Sequence, residues 1–240
     1  MPDHFRKLET KLILAGSWLD LGFIPYLPAF SIQEQVYAAR VNGRLGNVII
    51  LQENPPIFTI GKAGSCENLL APPEELARHG IEVLEVTRGG DITYHGPGQI
   101  IASPIYYLGD LDLNANQYLH TLEDILIDLL DVYGIQSGKR VDHPGVWIGE
   151  FKIGAVGIGV RHGYTFHGLS LNVNLELSPF ELINPCGVPQ MPVTSMAREL
   201  GHEVPMNEVK QQLHGSMEIH LKTKLDNLSL AELNSQLKIE

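Results

Sequence analysis

A cysteine held between a proline and a glycine sits on a turn, and Ile183-Asn184-Pro185-Cys186-Gly187 places one where a substrate can reach it. Structural cysteines more often lie inside apolar strands or helices. An accessible cysteine is a nucleophile only as its thiolate, and a free thiol with a pKa of ~8.5 is mostly protonated at neutral pH, so it needs a cation or base beside it. Lys152, flanked by Phe151 and Ile153 in a strand-like run, is a candidate supplier. On spacing alone a lysine in such a run more often points to solvent, and both readings of Lys152 stay open at this level. Cys66, in Gly64-Ser65-Cys66-Glu67-Asn68, has no comparable setting and is read as incidental.

The densest cluster of special residues is Arg88-Gly89-Gly90-Asp91-Ile92-Thr93-Tyr94-His95-Gly96-Pro97-Gly98-Gln99. Four glycines and a proline in twelve residues exclude a regular helix and describe either a loop laid open to a ligand or an ordinary surface turn. Arg88, Thr93, His95 and Gln99 would orient a carbonyl or a polar substrate end. No phosphate-cradling motif is present: Gly134-Ile135-Gln136-Ser137-Gly138-Lys139 is one residue short of a P-loop, and Gly157-Ile158-Gly159 lacks the third glycine of a dinucleotide fingerprint. No G-x-S-x-G elbow marks a serine hydrolase. His162 and His167 stand five apart, which matches no common zinc spacing, so they are expected to pack or hydrogen-bond.

These groups need elements to position them. Ser31 and Glu34 form a capping box that predicts a helix from Ser31 to Asn42, with Gly43 just past its end. A strand, Val48–Leu51, follows. A second helix is predicted from about Asn116 to Tyr133, where Leu119, Leu122, Leu126, Leu129 and Leu130 form a stripe that Gly134 ends. Val146 to Val160 reads as a hairpin turning at Gly149-Glu150. Leu169–Leu175 alternates as a strand, and Asn207–Leu221 reads as a helix with Val209, Leu213 and Met217 on one face. Strands interrupted by helices predict an α+β fold with a mixed β-sheet and flanking helices. One domain is expected over 1–240, with a core of about 20–201 and a C-terminal helical extension over 202–240.

The chain has 240 residues, 44% of them apolar, enough to bury a substantial core. No apolar run approaches a membrane span and no secretory signal is evident, so the expected location is the cytoplasm, where two cysteines remain thiols. A formal charge of −11 argues against nucleic-acid binding. An acidic partner would require a local basic patch, for which Arg88, Lys139, Arg140, Lys152 and Arg161 are the candidates.

The glycine-rich run, read as Arg88-Gly89-Gly90-x-x-Thr93-Tyr94-His95-x-x-Gly98-Gln99, resembles the signature of the LipB octanoyltransferases (lipoyl/octanoyl-protein transferases). The resemblance continues in order through Gly145-Val146-Trp147-Ile148, Lys152-Ile153-x-x-x-Gly157, Thr165-Phe166-His167-Gly168-Leu169-Ser170-Leu171-Asn172-Val173 and Asn184-Pro185-Cys186-Gly187. Upstream, Asn54-Pro55-Pro56-Ile57-Phe58-Thr59-Ile60-Gly61 also fits, so the likeness spans roughly Asp20 to Gly201. It implies a fold similar to the catalytic domain of biotin and lipoate protein ligases. It implies transfer of an octanoyl group from acyl carrier protein to a lipoyl-domain lysine through a Cys186 thioester. Lys152 then becomes the group that favours the Cys186 thiolate. Arg88, Gly89, Gly90, Asp91, Ile92, Thr93, Tyr94 and His95 would bind substrate with Ala155, Val156, Gly157, Gly168, Leu169 and Ser170, and Tyr94 and Leu169 would line an acyl channel. The implied partners are octanoyl-acyl carrier protein and the lipoyl domains of 2-oxoacid dehydrogenases and of glycine cleavage H protein, for a monomer needing no cofactor and no metal. Ser103 departs from the family, which commonly has an aromatic there. Competing readings are an ATP-dependent lipoate ligase, a non-catalytic binder of these partners, and a thioesterase-like hydrolase.

Overall fold

Two apolar strands, Asn47–Glu53 and Gln99–Ile105, are buried along almost their whole length, so both faces of the sheet they build must be covered. They form the centre of the computed structural model of the chain, which describes residues 13–141 and 143–237. The first half runs β1 (Leu14–Phe23), α1 (Tyr26–Val41), β2 (Asn47–Glu53), β3 (Ile57–Ile60), α2 (Pro73–His79), β4 (Glu82–Glu85), β5 (Ile92–His95) and β6 (Gln99–Ile105). There follow α3 (Leu108–Leu111), α4 (Ala115–Val132), β7 (Gly138–Lys139), β8 (Val146–Ile148), β9 (Phe151–Arg161), β10 (Tyr164–Asn172), α5 (Met196–Leu200), α6 (Met206–His220), β11 (Thr223–Asn227) and α7 (Leu230–Leu237).

Eight strands make one mixed sheet in the order β11-β1-β2-β6-β10-β9-β8-β7, parallel only where β1 meets β2 and β11. On one face α4 and α6 set Leu122, Leu126, Leu213 and Met217 against Ile100, Ile153 and Leu171. On the other, α1 and α7 pack Val36, Tyr37 and Leu233 against Ile50, Ile105 and Phe166. The second sheet, β4-β3-β5, encloses a separate core with Phe58, Ile92, Tyr94 and Phe180. The mixed sheet with flanking helices is the architecture expected from the pattern of elements.

The helix over the stripe Leu119–Leu130 forms with a capping box in which Asn114 and Gln117 exchange side-chain to backbone bonds, and the Gly149 turn forms between β8 and β9. Three boundaries differ. The first helix begins at Tyr26, not Ser31: Pro25 occupies its cap and Pro28 falls in the first turn, where a missing N–H leaves nothing unsatisfied. Ser31 is therefore interior and accepts a bond from Gln35 Nε2. The strand expected over Leu169–Leu175 starts at Tyr164 and ends at Asn172, because the next two N–H groups both donate to the Gly98 carbonyl. The C-terminal segment is more than a helical extension: Val209, Leu213 and Met217 belong to the same core as α4, and β11 pairs in parallel with β1.

Candidate active site

Lys152 and Ile153 are both buried, because the start of β9 has both faces covered. Ile153 faces the α4 core, and Lys152, one residue away on the alternating strand, faces the opposite side. The backbone on each side of that lysine is pinned: Lys152 N–H donates to Pro192 O at 2.9 Å and Thr194 N–H to Lys152 O at 2.9 Å. The solvent-facing alternative for Lys152 is thus overturned by a strand that has no solvent side at this point. Its Nζ lies 3.3 Å from Cys186 Sγ and 5.3 Å from the centre of the Trp147 ring. Cys186 occupies a 3-10 turn, Pro185–Gly187, in which its φ is 56°.

A third group fixes the lysine from behind. Gly145, with φ +128°, has no room for a Cβ, which would meet Gly154 O at 2.5 Å and Lys152 Cε at 2.6 Å. The Lys152 stem therefore lies along bare backbone. That backbone is anchored in turn, since Gly145 N–H donates to Glu123 Oε1 at 2.7 Å. Glu123 is a buried carboxylate whose other oxygen meets His120 Nδ1 at 2.8 Å.

Lys152 and Cys186 border a cavity of about 410 Å³. Its floor is the face of the large sheet that carries Ala155 and Gly157 of β9, Gly168 and Ser170 of β10, and Ile101 and Ser103 of β6; Val156, Ile158 and Leu169 reach the lining from alternate positions packed on the α4 core, and Gln52 of β2 lies at the far side. Arg88, Gly89, Gly90, Asp91, Ile92, Thr93 and His95 close it from the small sheet, and Tyr26, Phe30 and Gln33 close it from α1. The glycine-rich run is thus a cavity wall and not a free surface turn. Tyr94 does not line the cavity. On β5, Thr93 and His95 point into the cavity, and the alternating position turns Tyr94 into the second core, edge-on to Phe58 and Phe180.

The polar groups of this wall form one chain of bonds. Arg88 gives Nε and Nη2 to Thr59 Oγ1 at 3.2 and 2.9 Å, Nη2 also to Thr59 O at 2.6 Å, and Nη1 to Gly89 O at 2.9 Å. Thr59 Oγ1 meets His95 Nε2 at 3.2 Å, and His95 Nδ1 meets Gln99 Oε1 at 2.7 Å. Gln99 Nε2 donates to Tyr94 O and Asn172 Oδ1, so its oxygen must accept from His95 Nδ1–H, and His95 Nε2 accepts from the Thr59 hydroxyl. Asn172 Nδ2 then reaches Thr194 O, next to the strand that carries Lys152.

Burial, assisted by the Arg88 guanidinium, drives the His95 imidazole down to about 4, with the Gln99 bond opposing. His167 bonds Thr87 Oγ1 through Nε2 at 3.1 Å and lies parallel to the Phe30 ring at 5.6 Å. Burial, then Arg88, His95, Lys62 and Arg161, push it down to about 3. Both imidazoles are neutral dipoles near pH 7. Burial also lowers Arg88 from its ordinary value, with Tyr26, Cys186 and Asp91 opposing, and lifts the Tyr26 phenol to about 12.

The five cations named as candidates for a docking patch are each engaged within the fold or at the cavity. Arg88 and Lys152 border the cavity, while Lys139, Arg140 and Arg161 pair with Asp124, Glu150 and Glu34. Cys66 is exposed and remote in role. Among the wall residues that the motifs missed, Tyr26, Phe30 and Gln33 recur at one helical face, a signal visible only once the helix is started at Tyr26.

The family model described as the lipoyl protein ligase A/B catalytic domain matches residues 25–218. An octanoyltransferase of Geobacter metallireducens is 38% identical over 213 residues, covering 89% of this chain and 97% of its own. One from Desulfotalea psychrophila is 40% identical over 198 residues, covering 81% and 89%. A crystal structure of lipoate-protein ligase A bound with ATP superposes with a TM-score of 0.76 at 16% identity, over 94% of this chain and 93% of that one. Biotin protein ligase from Aquifex aeolicus, in complex with biotin and ATP, gives 0.51 at 14% identity over 87% and 70%. At such identities the two ligases share the fold.

Proposed function

This chain belongs to the lipoyl protein ligase A/B catalytic-domain family, and from that premise we propose that it is an octanoyltransferase that modifies lipoyl-domain lysines through a Cys186 thioester. The observation that carries the mechanism is the Lys152 Nζ to Cys186 Sγ distance of 3.3 Å at the edge of a half-open, largely apolar-walled cavity. The donor is octanoyl-acyl carrier protein. Its thioester is already activated, so transfer to an amine needs no nucleotide.

In the first half-reaction the Cys186 thiolate attacks the thioester carbonyl, a new C–S bond forms, and the carrier leaves as its thiol. The Lys152 ammonium sits where it favours the attacking thiolate. In the second, the acceptor lysine amine attacks the acyl-enzyme, the amide forms, and the Cys186 thiolate departs. Lys152, having given its proton to the carrier thiolate, takes one from the incoming amine. His95 and His167, both neutral, serve as fixed hydrogen-bonding walls and not as proton carriers.

Intact-mass spectrometry of a lipoyl domain incubated with this protein and octanoyl-carrier protein, without ATP, tests the reading. One octanoyl unit should be added to the lipoyl domain, and Cys186→Ala should remove both that gain and the acyl-enzyme. A gain only with ATP and free octanoate would make the chain a ligase. Free octanoate without modified acceptor would make it a hydrolase.

A further inference from the structure

The cavity is not uniform. Its exposed members cluster near β9 and the glycine-rich loop, at Pro144, Ala63 and Gly90, whereas Gln33, Gln52 and Ser103 are only 4%, 4% and 3% exposed. Those three polar groups mark one end of it. Register places it: Ala155 pairs with Ser170, Ser170 with Ile101, and Ile101 with Gln52, a single row across β9, β10, β6 and β2. At about 4.8 Å per strand the row is about 14 Å long, the scale of an extended medium-length acyl chain. Lys152 and Cys186 stand at its β9 end. Ser103 shares the face of Ile101, two residues along β6.

The hydrogen bonds at this end are incomplete. Gln33 Nε2 donates to Ser103 Oγ at 3.1 Å and its Oε1 accepts from His167 N–H at 2.9 Å. Gln52 Nε2 donates to Asn54 Oδ1 at 3.0 Å, but among the described residues its amide oxygen accepts no bond, and the residue lines the cavity. An acyl chain passing Ala155 and Ile101 along this row gains from each methylene removed from water, about fourfold in affinity per group. A methylene driven against Gln52 instead strips a buried amide of its water and offers no acceptor or donor in return.

We propose that Gln33, Gln52 and Ser103 form a polar end wall that sets the longest acyl chain this site accepts. The inference rests on the acyl-transfer reading of the same cavity. It makes chain-length selection a desolvation effect and not a purely steric stop.

The test is the ratio of kcat/KM for decanoyl- over octanoyl-carrier protein, measured in the full chain and in Gln52→Leu and Gln33→Met. A ratio taken within each variant cancels any loss of folded enzyme, and two variants on different elements guard against one that fails to fold. The ratio should rise, by up to about fifteenfold for two extra methylenes at about fourfold each. Ratios that stay at the parent value in a variant that still transfers octanoate overturn the end wall and leave the proposed function intact. Absence of transfer from every donor in the parent chain overturns the proposed function itself.

Discussion

Acid should unfold this protein through two histidines that take no proton in the native state. His95 and His167 are each 6% exposed, and their folded values are about 4 and about 3 against an ordinary 6.5. Both are depressed, so the unfolded chain binds more protons and stability rises with pH. Their neutral burial is therefore without penalty above pH ~6.5, and the loss accumulates as pH falls from there towards the folded values. Two groups give a slope that steepens towards about 2.7 kcal/mol per pH unit near pH 5, and a loss of about 4 kcal/mol between about pH 7.5 and about 5. That is a large part of the 5–15 kcal/mol that holds a typical domain (roughly). Equilibrium urea unfolding from about pH 7.5 to about 5 reads the slope directly. His167→Asn suits the left-handed backbone there, φ 57°, and His95→Asn keeps a polar side chain near Gln99. Each variant should cut the slope by about 1.4 kcal/mol per pH unit. A parent slope below about 0.7 kcal/mol per pH unit, or variants that keep the parent slope, would refute the assignment of two neutral buried imidazoles.

Two further substitutions probe the support behind Lys152. Gly145→Ala forces a Cβ against Gly154 O and Lys152 Cε at φ +128°, so it should cost roughly 2 kcal/mol in urea unfolding and reduce kcat more than it raises KM. Glu123→Ala leaves the buried Gly145 N–H without its acceptor, which should cost about 1–3 kcal/mol, whereas Glu123→Gln keeps an acceptor and should recover much of the transfer rate.

The α4 stripe, the β8–β9 turn and the Pro-Cys-Gly turn were all legible because each is a local pattern: period 3.6 with a stop, glycine at a left-handed position, two turn formers around one residue. What the sequence hid was set by contacts through space. Lys152 reads as exposed because strand alternation says nothing about whether a second layer covers the other face, and here the cavity wall does. Tyr94 reads as substrate-facing because motif membership assigns a whole run to the site, while a strand sends alternate residues to opposite sides. Tyr26 and Phe30 stayed hidden behind the Ser31 capping box, a valid local signal overruled by Pro25, which caps the helix, and Pro28 within its first turn. The cations at 139, 140 and 161 looked available because their carboxylate partners are distant in sequence or on another turn.

Some of the fold's backbone strain falls on the cavity wall. Left-handed φ costs a residue with a Cβ roughly 1–2 kcal/mol, and two of the non-glycine residues that adopt it, Cys186 and His167, line the cavity. Such a conformation persists only where neighbours over-determine it. At Cys186 they do. Asn184 N–H donates to Asn68 O at 2.8 Å, and the N–H groups of Gly187 and Val188 close back on Asn184 O and Pro185 O at 3.0 Å. Asn68 Nδ2 in turn donates to Asp91 Oδ2 at 2.6 Å, and Asp91 Oδ1 takes the backbone of Ser65 and Ile92. A Cβ on Gly187 would meet Asp91 Oδ2 at 2.6 Å. The glycine-rich loop and the Pro-Cys-Gly turn, almost a hundred residues apart (about 95 from Asp91 to Cys186), are thus one clamp. Asp91 has both carboxylate oxygens committed to protein groups, so what it does in this fold is hold the turn that carries Cys186.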